Sequence, residues 1–185
     1  MKFLGISGSL RAQSLNARLL RSTARIAPTH VQVELYEELG TLPLFNPDLE
    51  PMDPAPVARL RTRIIAADAL IIASPEYAHG VSGVLKNALD WMVGNESFVG
   101  RPVALFNASP RAQHAQAALR ETLRTLSARI VPEACISVPL LGSGLEEDAI
   151  VHDRGICATV LAALRALEVA VASGGAEEGT AFHTI

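Results

Sequence analysis

The feature that most restricts the fold is an alternation of short apolar runs with longer segments of helical spacing. The runs are Phe3 to Ser7, Val31 to Tyr36, Ala69 to Ser74, Val103 to Asn107 and Ala134 to Val138, each bounded by Gly, Pro, Asn or Ser. Between them lie Ser14 to Ala27, Pro56 to Ala67, Ser82 to Val93 and Gln113 to Ser127, and a fifth helical segment, Asp148 to Ala172, closes the series. Strands that alternate with helices form a parallel sheet covered on both faces. The first, third and fourth runs are almost free of polar residues, as central strands are, whereas Val31-Gln32-Val33-Glu34-Leu35 alternates like an edge. The expected fold is α/β: a three-layer, doubly wound, five-stranded parallel sheet in the order 2-1-3-4-5.

The chain's 185 residues suit one domain, expected over 1–173. The low-complexity stretch Gly174-Gly175-Ala176-Glu177-Glu178-Gly179 marks 174–185 as an expected mobile tail. A hydrophobic share of 49% with 19% charged residues excludes a disordered chain. The net charge of −3, with no basic cluster interleaved with aromatics, gives no reason to expect nucleic acid as a partner. The longest apolar stretch, Ile156 to Ala172, contains Arg165 and Glu168. It falls short of the roughly 20 clean residues of a bilayer span and reads as a buried helix, so no membrane association is expected. The N-terminal run is too short for a signal-peptide core, which points to the cytoplasm. Cys135 and Cys157 lack both CxxC spacing and a nearby His cluster, and read as core thiols.

Open parallel sheets bind ligands beyond the carboxyl ends of their strands, where the strand order reverses. The loop after the first strand, Gly8-Ser9-Leu10-Arg11-Ala12-Gln13-Ser14-Leu15-Asn16, leads into a helix N-terminus. Gly8 allows close backbone approach, Ser9 and Ser14 offer hydroxyls, and Arg11 offers a bidentate, charge-assisted pair to an anion. The amides of Leu15 and Asn16 complete a cup for phosphate, where the helix dipole is positive. Neither GxxxxGK[ST] nor GxGxxG is present, which leaves a monoester phosphate as the fitting ligand. Ser14 also reads as an ordinary N-cap.

The loop after the third strand is Ser74-Pro75-Glu76-Tyr77-Ala78-His79-Gly80-Val81-Ser82-Gly83. Pro75 keeps Ser74 extended, Gly80 and Gly83 permit bends, and Tyr77 offers an aromatic surface to a planar ring. The helix that follows carries Trp91, which reads as a packing residue, whereas the role of His79 stays open. After the fourth strand, Asn107-Ala108-Ser109-Pro110-Arg111 supplies Ser109 as a hydrogen-bonding candidate and Arg111 as a cation of open role.

Together GSLRAQSLN at 8–16, SPEYAHGVSGVLKNALDW at 74–91 and NASPR at 107–111 resemble the NADPH-dependent FMN reductase family, which is flavodoxin-like and includes flavin, quinone, azo-dye and chromate reductases. The resemblance implies FMN as cofactor and NADPH or NADH as co-substrate. FMN phosphate would lie on Ser9, Arg11, Ser14, Leu15 and Asn16, and the isoalloxazine ring beside Pro75, Glu76, Tyr77, Ala78 and Ser109. The chemistry belongs to the flavin, so no side chain is assigned as acid or base. It implies a ping-pong NAD(P)H oxidoreductase that passes electrons to a small acceptor, such as a quinone, free flavin, azo dye or metal oxyanion. Family members form homodimers or homotetramers, and the apolar segment Leu42 to Leu49 suits such an interface. Ala78, where many members have Asn, and the Ser109-Pro110-Arg111 loop, often glycine-rich, depart from the pattern. The competing reading is an FMN-binding electron carrier or sensor without a nicotinamide site, which the small net charge disfavours because such carriers use acidic docking surfaces.

Overall fold

A computed structural model describes residues 1–177. Parallel strands β1 (Lys2–Ser7), β2 (Gln32–Tyr36) and β3 (Ala69–Ala73) pair in the order β2-β1-β3. Helices α1 (Leu15–Ile26) and α2 (Ala55–Ile65) connect them. Beyond β3 the chain forms a small antiparallel hairpin, β4 (Glu76–Tyr77) and β5 (Gly80–Val81), and then α3 (Gly83–Asp90). Strand β6 (Pro102–Asn107) lies on the far side of β3 and leads to α4 (Gln113–Thr125). The expected order is thus observed, with one difference at its end.

The fifth strand is not the continuous run 134–138. It consists of β7 (Arg129–Ile130) and β8 (Ile136–Ser137), which pair with the start and the end of β6. A 3-10 turn at Pro132–Ala134 separates them. Pro132 has no N–H to give to the ladder, so pairing stops there and resumes beyond the turn.

Alternate residues of each central strand point to opposite faces. Leu4, Ile6, Leu70, Ile72, Val103 and Leu105 join the core beneath α2, α3 and α4. Phe3, Ile71, Ala104 and Phe106 join the core beneath α1 and the last helix. These are the three layers expected. Trp91 is a core residue: its ring meets Phe45 edge-on at 5.1 Å, and its Nε1–H donates to the Pro43 carbonyl at 2.8 Å. Cys135 and Cys157 are free thiols, each only partly buried.

The closing helical segment is two helices, α5 (Glu147–His152) and α6 (Arg154–Glu177). Asp153 breaks them with an extended backbone, and its carboxylate accepts from the Ile156 N–H at 2.9 Å. Helix α6 runs through Gly174 and Gly175 to Glu177; the rest of the expected tail, 178–185, lies outside the described residues. Nor is α6 the buried helix expected: Val160, Ala163, Leu164 and Leu167 are buried on the sheet while Val169 is exposed. It is long and apolar enough to cross a bilayer by composition alone, but one face is already packed. The arginine face of α1 also finds partners, since Arg18 and Arg25 pair with Glu146 and Asp148 at 3.0 and 2.8 Å, on either side of Arg21–Glu147.

Candidate functional site

At the carboxyl ends of β1, β3 and β6, three loops enclose a cleft of about 570 Å³, a volume typical of small-molecule sites. Nine of the ten candidate residues, all but Ala78, line it. The loops hold one another in place. The Gly8 N–H continues the sheet by donating to the Ala73 carbonyl at 2.8 Å. A Cβ on Gly8 would meet Ser82 Oγ at 2.9 Å, Ser74 Oγ at 3.0 Å and Leu85 Cβ at 3.2 Å, so only glycine allows the first two loops this close.

The first loop ends on the α1 N-terminus. Ser14 is 5% exposed and caps the helix, its Oγ accepting from the Ala17 N–H at 3.3 Å. Its hydroxyl hydrogen remains available to donate. Among the described residues the Leu15 and Asn16 N–H groups reach no acceptor, as the first turn of a helix dictates. The Asn16 side chain fixes the third loop, since its Oδ1 accepts from the Ala108 N–H at 3.4 Å. Two cations stand beside these amides in different conditions. Arg18 is engaged with Glu146 and the Leu145 carbonyl, whereas Arg11, exposed on the cleft, has no ion-pair partner among the described residues.

The second loop is more ordered than its sequence suggests. Glu76 and Tyr77 pair with Val81 and Gly80, so the turn of the hairpin is Ala78-His79. Both turn residues have positive φ, 48° and 60°, whereas Gly80 and Gly83 do not. The bends expected at the glycines thus fall on Ala78 and His79. Ala78 sits at the exposed hairpin tip, outside the cleft lining. Tyr77 is 51% exposed and lines the cleft. Glu76 also lines it, but its Oε2 accepts from the Ala115 N–H at 2.9 Å and so caps α4.

In the third loop Asn107 Oδ1 accepts from the Ser109 N–H at 3.0 Å, an Asx turn that presents Ser109 and Arg111 to the cleft. Sequence reasoning missed Gln13, Arg18, Ala112 and Leu141 as lining residues. Leu141 had no local signal, because it reaches the cleft only through the path of the chain beyond β8.

The residues present fit FMN. One end of the cleft has unpaired amides, hydroxyls and a free guanidinium for a phosphate, and the other walls have Pro75, Tyr77 and Leu141 for a flat ring. Comparisons agree with this geometry. Residues 1–140 match the family model described as NADPH-dependent FMN reductase. An NAD(P)H-dependent FMN reductase of Pseudomonas aeruginosa is 41% identical over 145 residues, which cover 74% of this chain and 78% of that protein. A quinone reductase of Escherichia coli K12 is 33% identical over 113 residues, covering 59% of this chain and 60% of its own. Among solved structures, the flavoenzyme NAD(P)H:(acceptor) oxidoreductase FerB of Paracoccus denitrificans superposes with a TM-score of 0.65 at 27% identity, covering 95% of this chain and 93% of that one. The three-layer fold, the cleft at the end of its sheet and the match over 1–140 make this chain a member of the NADPH-dependent FMN reductase family.

Proposed function

We propose that this chain, an FMN-dependent NAD(P)H oxidoreductase, holds FMN phosphate on the loop from Ser9 to Asn16 and reduces a quinone-like small acceptor in the same cleft. The observation that carries this reading is the pair of unpaired amides, Leu15 and Asn16, beside a free Arg11 at one end of a cleft otherwise walled by Tyr77 and the third loop. The two N–H groups and the positive end of α1 stabilise a phosphate dianion. Arg11 adds a bidentate pair. Ser14 contributes its remaining hydroxyl hydrogen, and Ser9 a second hydroxyl.

Bound FMN supplies the hydride and electron chemistry. The protein supplies position and field. Pro75, Glu76, Tyr77 and Ser109 would border the ring, with Glu76 rigid because it caps α4. No side chain is assigned as acid or base. One open cleft serving nicotinamide and acceptor in turn requires a ping-pong order. Steady-state rates over paired NADPH and quinone concentrations should give parallel reciprocal lines, and intersecting lines would refute the shared site. Free flavin, azo dyes and metal oxyanions belong to the same comparison.

A cytoplasmic location follows from the co-substrate, since reduced nicotinamide nucleotides are held there. The protein also works as a homodimer or homotetramer on this reading: in the segment Leu42 to Leu49, pinned to α3 through Asn87 and Trp91, Leu42 is buried and Phe45 and Leu49 pack on the core, but Leu44 stays 83% exposed, and Met52 beyond the segment is 66% exposed. Sedimentation at micromolar concentration as a monomer would refute that assembly.

A further inference from the structure

At the rim of the cleft, apart from the phosphate loop, three side chains of ligand type converge. His79 at the hairpin tip and His114 in the first turn of α4 lie face to face, with ring centroids 4.3 Å apart and planes 11° from parallel. Glu76 completes the group: an oxygen of its carboxylate and a ring nitrogen from each histidine all lie within 4.8 Å of one another. Both histidines are exposed, and Glu76 is half-buried and lines the cleft.

We propose that Glu76, His79 and His114 bind a divalent first-row transition ion with the chemistry of Zn²⁺, which ties the β4–β5 hairpin to α4 at the rim of the cleft. Two imidazoles and one carboxylate form the donor set of a three-ligand zinc site that leaves a fourth position for water or a small oxygen ligand. Imidazole selects zinc, copper or nickel over magnesium and calcium. Tetrahedral zinc places neighbouring donor atoms about 3.4 Å apart. The donor atoms here, within 4.8 Å of one another, close to that value when the exposed histidine rings rotate out of their stacked arrangement and turn their in-plane lone pairs onto one ion. The carboxylate is oriented in advance, because the Ala115 N–H holds Oε2 at 2.9 Å and leaves Oε1 for an ion, as outer-shell partners of metal ligands do. The histidine at the turn also occupies a strained backbone position, φ 60°, where glycine would be at ease.

The test is a zinc sulfate titration of the full chain against a chromophoric chelator, with and without added FMN so that the outcome does not depend on flavin binding. Thermal unfolding is followed in parallel. The expected result is one zinc per chain and a melting temperature that rises with zinc, as for any ligand of the folded state. Loss of an outer-shell partner alone weakens metal binding by about 10–100-fold, so His114→Ala and His79→Gly should each weaken it by at least about tenfold and suppress the thermal shift. His79→Gly keeps the positive φ without strain, so loss of binding in it does not reflect misfolding. His152→Ala, at an exposed histidine bonded to the Asp148 carbonyl, should leave zinc affinity unchanged. Sub-stoichiometric binding, or equal affinity in the parent, His79→Gly and His114→Ala proteins, would overturn the site.

Discussion

Arg11 is the residue on which the phosphate assignment rests most heavily, because Arg18, the cation of α1 that also lines the cleft, is already paired with Glu146. Removing one charge-assisted hydrogen bond costs about 1.5–3 kcal/mol. Arg11→Ala should therefore weaken FMN binding by that amount in a fluorescence titration, with an unchanged far-ultraviolet spectrum; unaltered affinity would move the phosphate elsewhere. Tyr36 gives a second residue-scale expectation. Its ring is buried and its hydroxyl has no partner among the described residues, and burial, reinforced by Glu38, raises its pKa above 10.0. The folded state therefore favours the neutral phenol: its contribution is complete below pH 10 and is lost as pH rises through the higher folded value. A buried, unmade hydrogen bond costs about 1–3 kcal/mol. Tyr36→Phe should accordingly stabilise the protein in urea at pH 7 and remove part of its alkaline destabilisation; a loss of stability at pH 7 would mean that the hydroxyl is satisfied.

At the scale of elements, what was legible in the sequence divides along physical lines. Helices α1 to α4 and strands β1, β2, β3 and β6 follow from apolar periodicity, since each buries a stripe or a whole run on the sheet. The fifth strand was displaced because Pro132 divides it, and Arg129–Ile130 is too short to register as a run. The hairpin was missed because tight two-residue turns announce themselves through Asn-Gly or Asp-Gly, and here they are Ala78-His79. The left-handed region costs a non-glycine residue about 1–2 kcal/mol. Ala78→Gly, after glycine's own entropic disadvantage, should stabilise the fold by roughly 0.5–1 kcal/mol in chemical denaturation; destabilisation would show that the turn adopts another conformation. The site was legible to the extent that its loops follow strands in sequence. The capping of α4 by Glu76, the stacking of His79 on His114 and the arrival of Leu141 are tertiary and leave no local trace.

On the scale of the whole molecule, the sheet order brings the ends of β1, β3 and β6 side by side, and with them the three loops that enclose the cleft. An electron carrier could share that architecture, and what separates an enzyme from it is direct reduction by a nicotinamide nucleotide. The decisive measurement is therefore anaerobic mixing of the FMN-reconstituted protein with NADPH, and in parallel with NADH, while the flavin absorbance is followed. An oxidoreductase of the kind described bleaches the flavin within the mixing experiment, and the colour returns when a quinone is added. A flavin that binds but keeps its absorbance with both nucleotides would contradict the enzyme and leave a carrier in its place.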